Sequence, residues 1–354
     1  MRIASLRDLF NYGAWANTCV WDTAADLNDE QLDRAFEMGE GSLRKTLAHV
    51  YGAERAWYDR CGGPNADKLP RSSEMHKLND IQEATRRISQ MRGDWLMRMN
   101  DAALDCEVTY TRNGHGHTHP LSDILLHVCN HGIHHRAQAL NMLRRLGKKV
   151  QMLDVMAMRI QQEDQPALST DLQTLRSYYE YTDWANGLVF DIAETLDDGQ
   201  LRREFEMGMG CILKTLAHMR DAEQWWFENW HNGGAHAFEQ IQKDTTVRQL
   251  RDAYQETIDN RHSYFAGLND DDLDRTVTAS PTKDKTYGFT LGESMLQLCS
   301  HGTHHRAQII NMFRHVGTEV PKLDFIAMKR LGSAVQENQV PSRRRRSALR
   351  GAKQ

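Results

Sequence analysis

The chain repeats itself. Tyr12-Gly13-Ala14-Trp15-Ala16-Asn17 returns 169 residues later as Tyr181-Thr182-Asp183-Trp184-Ala185-Asn186, and Lys45-Thr46-Leu47-Ala48-His49 returns as Lys214-Thr215-Leu216-Ala217-His218. Past residue 110 the offset becomes 170, so that His131-Gly132-Ile133-His134-His135-Arg136-Ala137-Gln138 falls on His301-Gly302-Thr303-His304-His305-Arg306-Ala307-Gln308. One inserted residue in a long connection accounts for the change. Solenoid repeats have periods of roughly 20–50 residues. A much longer period means one domain made twice, each copy large enough to bury its own core. The copies run over 1–160 and 171–335. A polar linker at 161–170 joins them, and a basic tail at 336–354, expected to be disordered, follows.

Within each copy the apolar residues recur at three- and four-residue steps, as Leu6, Leu9, Phe10, Ala14 and Val20 do. This spacing predicts four long helices per copy, near 4–26, 42–61, 79–101 and 121–146 and near 173–195, 211–231, 246–267 and 291–316. Thr290-x-x-Glu293 has the form of a capping box, and Gly147 and Gly317 end the fourth helices at matched points. Short further helices are expected near 153–162 and 323–332, with Asp154 and Asp324 as N-caps. Glu107 to Tyr110 and Thr276 to Thr278 have the character of extended chain. The predicted fold is therefore all-α, two tandem four-helix bundles each with one long connection.

Composition narrows the function. The six cations of the tail include Arg343 to Arg346, and with them set aside a formal net charge of -4 becomes -10. An acidic body lacks the clustered cations that phosphate neutralisation requires, so nucleic acid is not an expected partner of it. No apolar run approaches the roughly 20 residues of a membrane span, and the N-terminal residues do not form a signal peptide. A cytoplasmic protein acting on a small molecule is expected. Cys19, Cys61, Cys106, Cys129, Cys211 and Cys299 show no C-x-x-C spacing and read mostly as buried thiols.

Among 17 histidines, only His49/His218, His131/His301, His134/His304 and His135/His305 are matched between copies. Histidines at i and i+4 share a helix face, so His131 and His135 can converge on one ion, as can His301 and His305. A His131/His134 pair is the geometric alternative. The matched histidine of the second helix, His49 or His218, is the natural third ligand. Three neutral imidazoles leave a dication's charge uncompensated and a coordination position open, the form of a catalytic or substrate-binding site. Zinc is the first choice of metal, then nickel or ferrous iron. The Glu-x-x-His motifs of di-iron bundles and the His-Glu-x-x-His of zinc peptidases are both absent.

These motifs, Trp-Ala-Asn in the first helix, Leu-Ala-His in the second and His-Gly-x-His-His-Arg-Ala-Gln in the fourth, resemble those of the DinB/YfiT-like superfamily, here in tandem. From His131 to Gly147, 11 of 17 positions are identical in His301 to Gly317. Ala137 and Ala307 stand where the family commonly has Gly. The resemblance implies four-helix bundles holding a divalent metal through His49, His131 and His135 and through His218, His301 and His305. It also implies an intramolecular version of the homodimer formed by single-domain members. Characterised relatives handle thiols, as bacillithiol-dependent transferases and mycothiol-dependent isomerases do. That implies a low-molecular-weight thiol as co-substrate and an S-transferase or isomerase acting on small electrophiles. Two other readings stand beside it: a metal-dependent hydrolase, and a non-catalytic metal-binding stress-response module.

For a hydrolase, Glu54 and Glu223 are the candidate bases, although each lies five residues beyond the helix-two histidine and equally suits an ion pair with Arg136 or Arg306. Trp57/Trp226 and Trp15/Trp184 read as core. Asn17/Asn186 and Gln138/Gln308 can orient an imidazole or bond helix to helix. The alternating His115, His117 and His119, absent from the second copy, read as a solvated loop rather than an accessory metal site. His127, which the second copy replaces with Gln297, and Cys129/Cys299 are set aside as ligands.

Overall fold

The computed structural model describes residues 1–112, 114–232, 245–282 and 285–331. The basic tail and Lys283-Asp284 lie outside them. The first copy's bundle consists of α1 (Ile3–Ala24), α3 (Leu43–Arg60), α4 (Leu78–Met97) and α5 (Leu121–Arg145). The second repeats it with α7 (Leu172–Ala193), α9 (Ile212–Asn232), α10 (Val247–Ala266) and α11 (Leu291–His315). In each, the first and second long helices flank the fourth and the third closes the ring. All eight expected long helices are present, with ends that shift by at most four residues. The largest shift is at α4, which stops at Met97 because Asn100 starts a separate 3-10 turn, Asp101–Asp105, by capping Ala103 N–H.

The chain punctuates itself as its residues require. The Thr290/Glu293 capping box forms, and Asp154 and Asp324 accept hydrogen bonds from the amides of Ala157 and Ala327, each at 2.7 Å. The first caps α6 (Val155–Gln161), and the second caps a helical segment at 325–331. Two short helices, α2 (Asp29–Asp33) and α8 (Asp198–Arg202), were not expected from periodicity. Their signal was the Asn28/Gln31 and Asp197/Gln200 capping boxes.

The extended segments are antiparallel hairpins, β1 (Glu107–Arg112) with β2 (His115–Pro120) and β3 (Thr276–Thr282) with β4 (Lys285–Thr290). The expected solvated histidine loop is therefore strand β2. Alternation puts His117 and His119 on one face against Tyr110, and His119 is buried.

α5 and α11 pack against each other, so each is enclosed by its own bundle on one side and by the other copy on the other. Apolar clusters run across the boundary: Leu6, Phe10 and Ile124 join Tyr178, Leu296 and Phe325, while Trp21, Leu47 and Ile81 join Phe190, Leu213 and Phe313. Polar bonds fix the register. Glu293 pairs with Arg159 at 2.7 Å, and Thr303 donates to Asn130 at 2.8 Å. No helix among the described residues is long and apolar enough to cross a membrane.

Candidate metal centres

In each copy a loop rich in glycine delivers the second helix to the fourth. Gly39 and Gly208 have φ of +55° and +57°, and a Cβ at either would sit under 3 Å from the hydroxyl of Thr46 or Thr215. Only glycine lets this loop lie so close to the first turn of α3 and α9. The amides of Glu40 and Met209 donate to the same two hydroxyls at 3.1 Å.

One turn further along, His49 faces His131 and His135, and in the second copy His218 faces His301 and His305. In both clusters each ring offers a nitrogen within 4.8 Å of the other two. Nε2 of His49 and Nε2 of His131 are 3.3 Å apart, and those of His218 and His301 are 3.0 Å apart. With metal–nitrogen bonds of about 2.0–2.1 Å, two ligands on a tetrahedral ion stand about 3.3 Å apart. These two pairs are already at ligand spacing, and the third imidazole of each cluster lies within 4.8 Å of both. Burial, and then the neighbouring imidazoles, hold His131, His135, His301 and His305 well below the usual histidine range, and burial lowers His218 as well. Neutral rings with free lone pairs are what a divalent ion needs. The donor set thus fits the metal that the sequence implies, and it is the i,i+4 pair that converges.

His134 and His304 have a different task. Gln138 accepts from Nδ1 of His135 at 2.8 Å and donates to Nε2 of His134 at 3.1 Å, and Gln308 does the same for His305 and His304. A proton held on Nδ1 leaves Nε2 of His135 and His305 facing the cluster. Burial pushes His134 and His304 down to about 4. Gln138 and Gln308 therefore orient imidazoles. Asn17 and Asn186 instead accept from Arg136 at 3.2 Å and Arg306 at 2.9 Å.

The candidate carboxylates lie elsewhere. Glu54 is paired with Arg92 of α4 rather than with Arg136. Glu223 is paired with Arg261 of α10 at 2.8 Å rather than with Arg306. Five residues after His49 or His218, each Glu is turned toward the third helix, and the arginine facing it there is the one it meets. Asp183 adds a second bond to Arg261 at 2.6 Å. A carboxylate near the cluster was missed by the sequence reading: Glu40, whose Oε1 is 3.7 Å from Nδ1 of His49. Its counterpart Met209 has none, so duplication gave no signal.

Trp57 is core, stacked edge-on with Tyr110 at 4.9 Å and His127 at 5.2 Å. Trp15 and Trp184 are half-buried against the shared core. Trp226 is also buried, yet it borders a cavity of about 1000 Å³ that reaches His218, His301 and His305. Burial raises the thiols of Cys61 and Cys129 to about 12 and pushes Cys299 up too. Cys106 is exposed.

A family model described as the DinB family matches residues 3–166 and again 169–339. The chain belongs to the DinB family. Protein DinB of Bacillus subtilis (strain 168) is 24% identical over 146 residues, which make up 39% of this chain and 84% of that protein. One DinB protein thus corresponds in length to roughly one of the two copies.

Proposed function

We propose that the three-histidine clusters each hold a divalent cation, zinc in the first instance, and that the protein transfers or isomerises a small electrophile with the help of a low-molecular-weight thiol. A single observation carries this reading: three imidazoles whose nitrogens converge within 4.8 Å of one another, with an orienting glutamine behind one of them, and in the second copy a cavity of ligand size beside them. Bound there, a dication would lower the pKa of a thiol so that it is a thiolate at neutral pH.

The residues of the chain do the rest. His218, His301 and His305 fix the position of the charge, Gln308 fixes the tautomer of His305, and Trp225 and Trp226 with Met156 exclude water from one side of the cavity. Glu54 and Glu223 are each held by an arginine, which disfavours the hydrolase reading and leaves them as braces between helices.

The test is metal content by mass spectrometry on untagged protein, beside His131→Ala and His301→Ala. About two equivalents, falling to one in either variant, would support two separate centres, and consumption of a thiol with a chromogenic electrophile would then follow. Protein that stays free of metal after exposure to zinc, nickel and ferrous ions would overturn the proposal.

A further inference from the structure

The cavity at the second histidine cluster is not built by the second copy alone. One wall comes from α5 of the first copy, and that wall carries Arg136 and Arg144, eight residues apart on one helix face. Arg144 is exposed, close enough to His304 for its charge to help depress that imidazole, and has as its one hydrogen bond among the described residues Asn141 of its own helix. Arg136 is 5% exposed, forms no ion pair among the described residues, and leaves Nη2 without a hydrogen-bond partner.

The second copy shows what is missing. Arg306, the counterpart of Arg136, donates to Asn186 and also to the hydroxyl of Thr303 at 2.8 Å, where the first copy has Ile133. A buried guanidinium with an unmet donor is costly unless a counter-charge comes near.

The rest of the lining is mainly apolar, with Trp225, Trp226, Met152 and Met156 prominent. Of its two acids, Asp154 caps α6 and Glu206 is exposed. One accessible guanidinium, with a second buried behind it and an acid nearby, suits a single negative charge better than a doubly charged phosphate.

We infer that this cavity binds a small, largely apolar molecule bearing one carboxylate, received by Arg144 of the first copy across the boundary from His218, His301 and His305. The inference rests on the metal-centre reading for why such a molecule enters. It gives the two copies a shared site, in which one supplies the metal ligands and the other the anion receptor.

Titration of the full-length protein with 2-naphthoate, followed by calorimetry, tests it, with metal counted on the same samples. We expect one equivalent per chain. Binding should weaken about tenfold or more in Arg144→Gln, since a charge-assisted hydrogen bond is lost. It should be unchanged in Arg314→Gln, the matched residue of the other copy, and abolished in Ala279→Tyr, which fills the cavity wall. The neutral 2-naphthamide, which needs no variant to fold, should bind at least tenfold more weakly than the acid. Equal binding of amide and acid, or indifference to Arg144→Gln, would overturn the inference even in a protein holding two metals. Binding that depends on Arg144 in a protein found to hold no metal would instead sustain it while removing the proposed function.

Discussion

The two histidine clusters are alike, and what surrounds them is not. In the first copy Tyr110 and His127 close ranks on Trp57, all three buried, and Arg330 reaches over from the second copy to bond the Tyr110 hydroxyl at 3.1 Å. At the matched positions the second copy has Ala279 and Gln297, and these with Trp226 border the large cavity. Glu40 beside His49 becomes Met209, and Ile133 becomes Thr303. Duplication has kept the imidazoles and their orienting glutamines while the walls diverged. The histidine cluster is one problem, solved identically twice, whereas the wall beside it is a separate problem solved by side-chain size.

The largest difference we expect concerns the buried ion pairs. Arg92 balances Glu54 alone, whereas Arg261 balances both Glu223 and Asp183, with Tyr254 in place of Thr85 beside them. Burial raises the Glu223 carboxyl, so its ionised form depends on that guanidinium. Arg261→Met should cost about 3–5 kcal/mol by stranding buried acids, and Arg92→Met should fall at the low end of that range. Denaturant unfolding checks the order. Equal losses would show that Asp183 adds nothing.

Next in size is a pH effect confined to one copy. Burial holds His127 at about 4, and the second copy has Gln297 in its place. An unfolded histidine takes up its proton near pH 6.5 and the folded one near 4. Stability from keeping it neutral is therefore intact above 6.5 and drains away as pH falls toward 4. At pH 5 this amounts to at most about 2 kcal/mol. His127→Gln should flatten the decline of metal-free protein between pH 7.5 and 5 by that much. An unchanged slope would mean that folding does not shift proton uptake at His127.

Much of this organisation could be read before any coordinates. The long helices announced themselves by period and by caps such as Thr290/Glu293, and the clustered histidines by recurring in both copies. The hairpins were half-legible, because strands of six or seven residues carry few alternations, and in the first copy a run of Gly and His obscured them. The partner of Glu54 was misread, since a helical wheel gives a side chain's direction but not which neighbouring helix lies there. The cavity was out of reach altogether. It depends on how α5 packs across α11, and only that packing turns the Tyr110/Ala279 difference into an open wall.

The glutamines test whether the shared part of the design is equally important in both copies. Gln138→Ala and Gln308→Ala each free an imidazole to rotate and to adopt the wrong tautomer. Loss of such an orienting partner typically lowers metal affinity about 10- to 100-fold. Competition with a chelator of known affinity should show this loss for one of the two equivalents in each variant. A loss confined to Gln308→Ala would mean that Glu40 compensates in the first copy.

Glu40 itself gives the smallest effect and the finest probe. Its carboxylate lies 3.7 Å from Nδ1 of His49 and is 44% exposed, so solvent screens most of its attraction for a proton on that nitrogen. A contact of this kind contributes on the order of a fewfold in affinity, not a hundredfold. Glu40→Met should therefore weaken the first centre by no more than about fivefold, bringing it toward the second, and Met209→Glu should tighten the second by a similar factor. The reciprocal pair matters more than either change alone. If the two shifts are opposite and similar, the difference in affinity between the centres resides in this one carboxylate, and the divergent walls act on access alone. If neither moves, the imidazoles and glutamines set the affinity by themselves, and both copies hold their metal equally well whatever reaches it.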